Sequence, residues 1–272
     1  MNAAHLTEHM DIRLSSPITG YKFSTLTFDE SIALLCQWSR EPSSATRYFA
    51  CVNPHSLMVA GRDPDFSKSI SDADMITPDG TGIVIASRIL NAGVPERVCG
   101  PDIFPALCAT LNLEIAGTRM FFLGSSEENL AVLKQRFVKE FPNLHFVGSY
   151  APPFRKVFSE DDNQEIVERV NNAGADILWI GLGAPKQEKW AHQNRHRLNV
   201  NLIGPVGGVF DFFTGRVKLP PKWVQRFGMI SIYRLMQEPR RLWRRNLDSP
   251  IFLYRVFGQL LREGRSSSKH WT

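Results

Sequence analysis

The sequence predicts an α/β protein in which a mainly parallel sheet is covered by helices on both faces. Three observations carry this. Short runs of strand length recur along the chain, and helical patterns lie between them. Most runs are apolar throughout rather than alternating, which marks strands buried on both faces. The segments that follow the runs are rich in Gly, Pro and small polar residues, as are the ligand loops at the carboxyl ends of such sheets. The combination is Rossmann-like, with a basic helical appendage at the C-terminus.

The elements follow in order. MNAAHLTEHMDIRLSS has no apolar signal core and reads as a polar arm, so residues 1–18 are expected to be flexible. Tyr48–Val52 is a buried-strand pattern, and Asn53-Pro54 after it reads as an N-cap with proline at the first helical position. Asp63-Pro64-Asp65 has the DxD spacing that can hold a divalent ion, but its place between helical segments favours a helix cap, and no metal is expected. Met75-Ile76 is a short apolar run before TPDGTGIV, and Ile83–Leu90 reads as a helix. Asp79 in that corner either caps the helix or stands ready for chemistry. Further strands are expected at Met120–Leu123, His145–Gly148, Ile177–Ile180 and Val200–Gly204, with helices over 126–140, 163–173 and 186–197. The α/β body is expected over residues 19–215 and the appendage over 216–272, where Pro239 and Pro250 should break the helices into short pieces. Ile251–Leu261 is too short to span a bilayer; it fits a buried helix or an interfacial anchor.

Charge divides the chain the same way. From Arg216 onward there are 13 Lys and Arg against three acids, a net of +10. The first 215 residues carry 19 against 24, a net of −5. A basic tail on an acidic body calls for an anionic partner: a phosphate ligand, an acidic membrane surface or nucleic acid. The four cysteines are widely spaced with no CxxC pair, which argues against a zinc site or a disulfide scaffold and fits a reducing cytoplasm. His55 and His192 are isolated and form no ligand set.

The loop glycines allow backbone N–H groups to approach a phosphate, which makes a nucleotide a reasonable ligand. None of the loops is GxGxxG or a Walker A sequence, so a nicotinamide-dependent oxidoreductase has little support. Nucleic-acid binding through the tail explains the tail but not the acid-and-glycine corners of the body.

The ordered motifs VNPHSL, TPDGTGIV, PERVCGPDIF, FFLGSS, GLGAPKQEKW and GPVGGVFDFFTG, followed by YRLMQEPRRLWRR, resemble the WecG/TagA/CpsF glycosyltransferases, glycosyltransferase family 26. The resemblance runs from about Thr25 to Arg245. It implies metal-independent, cofactor-free and inverting transfer of a sugar from a UDP-sugar. The donor sugar is N-acetylmannosamine, its uronic acid or glucose. The acceptor is linked to undecaprenyl diphosphate at the inner face of the cell membrane, and the product enters a bacterial surface polysaccharide such as an exopolysaccharide. The enzyme would be cytoplasmic and peripheral on that membrane, would not use nucleic acid as a partner, and could assemble as a homo-oligomer.

Carried over by position, Asp79 is the general base. Asn53, Arg97 and Gln187 are substrate-binding residues, with Gly181, Gly183 and Gly207 in the ligand loops. Without a metal, cations and backbone donors must stabilise the departing diphosphate, and Arg97, the Gly-rich loops and tail arginines such as Arg234, Arg241 and Arg244 are the candidates. Two departures stand out. Cys51 occupies a place where the family often has threonine, and Leu219-Pro220-Pro221 replaces Arg-Ala-Pro, so Arg216, Lys218 or Lys222 would have to stand in for the missing arginine.

Overall fold

The computed structural model describes residues 12–41, 46–114, 117–218, Tyr233 and 239–267, with side chains over 248–262 in the last stretch. The chain runs α1 (Phe28–Arg40), β1 (Arg47–Val52), α2 (Pro54–Ala60), α3 (Pro64–Ser71), β2 (Met75–Pro78) and α4 (Thr81–Leu90). It continues with α5 (Gly100–Leu113), β3 (Arg119–Gly124), α6 (Glu127–Glu140), β4 (His145–Tyr150), α7 (Glu160–Ala173) and β5 (Ile177–Gly181). The last elements are α8 (Lys186–Asn194), a 3-10 turn (Arg195–Arg197), β6 (Leu202–Pro205), α9 (Val209–Thr214) and α10 (Pro239–Ser267).

The six strands form one sheet in the order β2-β1-β6-β5-β3-β4, and every pairing is parallel. The strand at Met75 is thus a full member of the sheet, pairing Phe49 with Met75 and Val52 with Pro78. The fold class is the one expected. The alternation of a strand sends neighbours to opposite faces. In β1, Phe49 joins the core beneath α1, α5, α6 and α9, whereas Tyr48 joins α7 and α8 on the other face. Ala50 and Val52 pack with α2, α3, α4 and α10. At the centre, Phe104 meets Trp179 edge-on with ring centroids 5.0 Å apart. Gly204 makes that stack fit, because a Cβ there would stand 2.4 Å from the Trp179 ring.

Helix ends follow local chemistry. Thr27 and Glu30 close a capping box on α1, and Ser159 and Asp162 close another on α7. Asn53 and Asp63 cap α2 and α3, each followed by proline. The Asp63-Pro64-Asp65 spacing is therefore a cap, and Lys189 pairs with Asp63 at 2.9 Å and Asp65 at 3.9 Å.

Two segments differ from expectation. Of the arm expected over residues 1–18, residues 12–18 are described. They form a turn bridged between Leu14 and Ser24 and between Ile18 and Tyr21, with Ile18 fully buried. In the appendage, Pro250 does not break the chain: α10 is one helix of 29 residues. Pro239 sits in its first turn, where the missing N–H costs nothing. At Pro250 one helical hydrogen bond is lost, and the burial of Phe252 and Val256 between α2 and α4 offsets it.

Candidate active site

A cavity of about 310 Å³ opens at the carboxyl ends of β1, β2, β5 and β6. It lies where β1 and β6 are neighbours. From β1 the chain goes outward to β2, then crosses to build the other half, so this is the switch point of the sheet, where open α/β sheets bind ligands.

Strand β2 delivers Asp79 to the cavity, and its N–H donates to Val52 O at 2.9 Å. The N-cap position of α4 belongs to the next residue, Gly80, with φ 97° and no side-chain cap bond. Asp79 is thus not the helix cap. Its Oδ2 accepts from Asn53 Nδ2 at 3.3 Å, while Asn53 Oδ1 accepts from the Ser56 N–H at 3.0 Å. A Cβ on Gly82 would fall 2.5 Å from Pro54 Cγ, so glycine there lets α4 start hard against α2. That close approach brings Asn53 and Asp79 together.

Arg97 lies just behind this corner. The N–H of Val98 donates to Pro78 O at 2.9 Å, and Arg97 pairs with Asp102 at 3.4 Å. Burial pushes the Asp102 carboxyl up, opposed by Arg97 and reinforced by the charge of Asp79. Burial, followed by Asp79, also raises the Cys51 and Cys99 thiols. Cys51 lines the cavity as a neutral thiol.

The opposite wall comes from the loop after β5. Gln187 is buried and links two parts of that wall. Its Oε1 accepts from the Gly183 N–H at 3.1 Å, and its Nε2 donates to Glu188 Oε1 at 2.8 Å. Gly183 and Gly207 line the cavity, and the Gly207 N–H donates to Ile180 O at 3.2 Å. Gly181 ends β5, where a Cβ would strike the Phe210 ring at 2.6 Å. The described hydrogen bonds at Gly183 and Gly207 give their N–H groups partners within the protein.

Asp79, Asn53, Gln187, Gly183 and Gly207 are therefore brought to one cavity, with Arg97 adjoining it. Arg234 lies outside the described residues. Arg241 and Arg244 belong to α10, whose side chains are described from Asp248 on. Sequence reasoning missed two members of the site. His55 lines the cavity, and its Nδ1 contacts Asp248 Oδ2 on α10, joining the appendage to the site. Glu188 is the other, a second carboxyl in the wall. The PHSL and KQEK sequences give only helix starts; no local pattern shows which of their polar side chains turns inward.

A second hollow of about 390 Å³ lies at the start of α6 and the end of α9, lined by Ser126, Asn129, Thr214 and Arg216 among others. Asn129 ties it together, donating to Asp211 Oδ1 at 3.1 Å and accepting from Thr214 Oγ1 at 2.7 Å. Asp79 and Glu188 are both in the first cavity.

Comparison with known proteins places this geometry. Residues 16–266 match the model of the glycosyl transferase WecG/TagA/CpsF family. A protein of Bacillus spizizenii, named N-acetylglucosaminyldiphosphoundecaprenol N-acetyl-beta-D-mannosaminyltransferase, is 30% identical over 225 residues, 83% of each chain. A Bacillus subtilis protein of the same name is 31% identical over 205 residues, 75% of this chain and 77% of its own. The switch-point cavity, its Asp79 corner and a match over nearly the whole chain lead to one assignment: this chain belongs to the WecG/TagA/CpsF family of glycosyltransferases.

Proposed function

We propose that the protein moves one sugar, with inversion at the anomeric carbon, from a UDP-sugar to an acceptor sugar linked to undecaprenyl diphosphate, in the biosynthesis of a bacterial surface polysaccharide. The names of the relatives favour N-acetylmannosamine over its uronic acid or glucose as the transferred unit, and an N-acetylglucosamine unit as the acceptor. The observation that carries the reading is the Asp79 carboxylate, left out of helix capping and held by Asn53 in the switch-point cavity.

In the reaction, an acceptor hydroxyl oxygen attacks C1 of the donor sugar. Asp79 takes the hydroxyl proton as the new C1–O bond forms. The bond from C1 to the diphosphate oxygen breaks, and its electron pair leaves with UDP. The leaving charge needs cations. Among the described residues lining the cavity there is no Lys or Arg; Arg97, paired with Asp102 beside the Asp79 corner, is one candidate. The appendage is proposed to supply the rest. Arg244 and Arg241 lie four and seven residues before Asp248, at positions on the same helical face as the residue that contacts His55. Guanidinium groups suit a diphosphate, and Arg234 is proposed to join them. The family resemblance implies that no metal takes part, which agrees with the engagement of Asp63 and Asp65 by Lys189.

The protein is proposed to work as a peripheral enzyme on the inner face of the cell membrane. Among the described residues no helix is long and apolar enough to cross a membrane. One face of α10 packs on the body through Phe252 and Val256, and another leaves Ile251, Tyr254, Phe257 and Leu261 exposed.

The test is transfer from a panel of UDP-sugars to short-chain lipid-diphosphate acceptors, with products weighed by mass spectrometry. Asp79→Asn should lower turnover by about 10²- to 10⁴-fold while leaving UDP affinity near that of the parent protein. Near-normal transfer by that variant would exclude Asp79 as the base, and absence of transfer by the parent from every UDP-sugar would reject the reading.

A further inference from the structure

Glu188 stands at the third position of α8, in the wall of the cavity that also holds Asp79. It is 2% exposed. Its two carboxyl oxygens are in unlike positions. Oε1 accepts from Gln187 Nε2 at 2.8 Å, whereas Oε2 is buried with no hydrogen-bond partner. A buried polar atom left unpaired is costly, and binding sites are where such atoms acquire partners. The titratable groups that share the cavity with it are Cys51 on β1, Asp79 after β2 and His55 on α2. Lys189, the next residue, is engaged with Asp63 and Asp65 of α3.

No cation pairs with this carboxyl among the described residues, so its environment favours the neutral acid. Burial pushes its pKa up to about 7, against the opposing hydrogen bond from Gln187. In the neutral acid the oxygen that accepts from Gln187 is the carbonyl oxygen. The proton is then on Oε2, making it a hydrogen-bond donor without an acceptor.

We propose that Glu188 is a recognition residue for the donor sugar, its Oε2–H donating to an oxygen of the sugar carried by the nucleotide. Oε2 is covered, so the side chain must turn for that oxygen to meet a ligand in the cavity that Glu188 lines. Its Oε1 meanwhile holds Gln187, which in turn holds Gly183, so one carboxyl both contacts the sugar and sets the loop beside it. Ionisation removes the donated hydrogen bond and puts a second negative charge beside an anionic ligand. The inference rests on the UDP-sugar reading of the cavity and adds to it a group that distinguishes the UDP-sugar from UDP.

The experiment is calorimetric titration of the intact protein, Glu188→Gln and Glu188→Ala with UDP-N-acetylmannosamine and with UDP. At pH 6 Glu188→Ala should weaken UDP-sugar binding about tenfold, the scale of one buried hydrogen bond, with UDP affinity little changed. Glu188→Gln, whose amide can donate in the same place, should recover part of that loss. The parent protein should bind UDP-sugar more weakly as pH rises from 6 to 8.5, and Glu188→Gln should flatten that dependence. Parent-like UDP-sugar affinity in folded Glu188→Ala, or a parent-like pH dependence in Glu188→Gln, would overturn the proposal. If Glu188→Ala does not fold, the Glu188→Gln profile decides alone. Binding of neither UDP nor any UDP-sugar by the parent protein would instead reject the nucleotide reading itself, and this proposal with it.

Discussion

Asn53 uses both ends of one side-chain amide, and the two ends do different work. Its Oδ1 caps α2 by accepting from Ser56, a local contact that the Asn-Pro pair announces in the sequence. Its Nδ2 reaches Asp79, which is 26 residues away in the chain. The two roles can be separated. Asn53→Asp keeps an oxygen for the cap but removes the donor and sets a second carboxylate beside Asp79. Thermal stability should change little, whereas kcat/KM should fall about ten- to a hundredfold and its acidic limb should move to higher pH, because neighbouring carboxylates raise one another. Asn53→Ala should in addition lose about 1 kcal/mol of stability with the cap. Parent-like kinetics in Asn53→Asp would show that the contact with Asp79 is incidental. Residues whose partners are local were thus legible in sequence. Glu188 and His55 were not: what distinguishes Glu188 is burial in a cavity wall shared with distant elements, and what distinguishes His55 is its contact with Asp248 on α10.

At the scale of elements, the strands were legible because burial on both faces writes continuous apolar runs, as in Met120–Leu123 and Ile177–Ile180. Helix starts were legible where a cap and proline coincide. The strand at Met75 was only half visible, since a four-residue strand ending in proline carries little periodicity. The continuity of α10 through Pro250 was hidden for another reason. Local propensity opposes it, and the stabilising contact is tertiary: Phe252 and Val256 sink between α2 and α4, and Gln259 Nε2 donates to Pro17 O at 2.7 Å while its Oε1 accepts from the Thr19 N–H at 2.8 Å. This makes α10 part of the folded body. Phe252→Ala should cost about 3–5 kcal/mol, the usual range for a buried Phe, and should lower the thermal midpoint of the whole protein. It should also expose α10 to hydrogen exchange before the sheet opens. An unchanged midpoint with rapid exchange confined to α10 would show that the helix docks as an independent unit.

The whole molecule sets a body of net charge −5 against a C-terminal segment of net charge +10. The proposed lipid-linked acceptor gives this polarity a use, since the enzyme would then work at an anionic surface with its cavity oriented toward it. The coupling between the two ends is local: α10 carries Asp248 to His55 at the cavity, and along the same helix it leaves Ile251, Tyr254 and Leu261 exposed. An apolar strip on a basic helix is the pattern of interfacial binding, in which charge draws the helix to the headgroups and buried side chains hold it there. The two contributions respond to different conditions. Raising salt should weaken association with vesicles containing anionic lipid, and neutral vesicles should bind poorly at any salt concentration. Replacing Ile251, Tyr254 and Leu261 together by Ser should reduce partitioning about a hundredfold even at low salt, because several kcal/mol of apolar burial are lost. Those side chains are on the solvent side of α10, so the thermal midpoint should hold. Transfer to a water-soluble acceptor analogue should hold with it, while transfer to a vesicle-embedded acceptor falls in step with partitioning. Undiminished vesicle binding by the triple variant would remove the exposed face of α10 from the interface and leave only the charge of the tail to account for it.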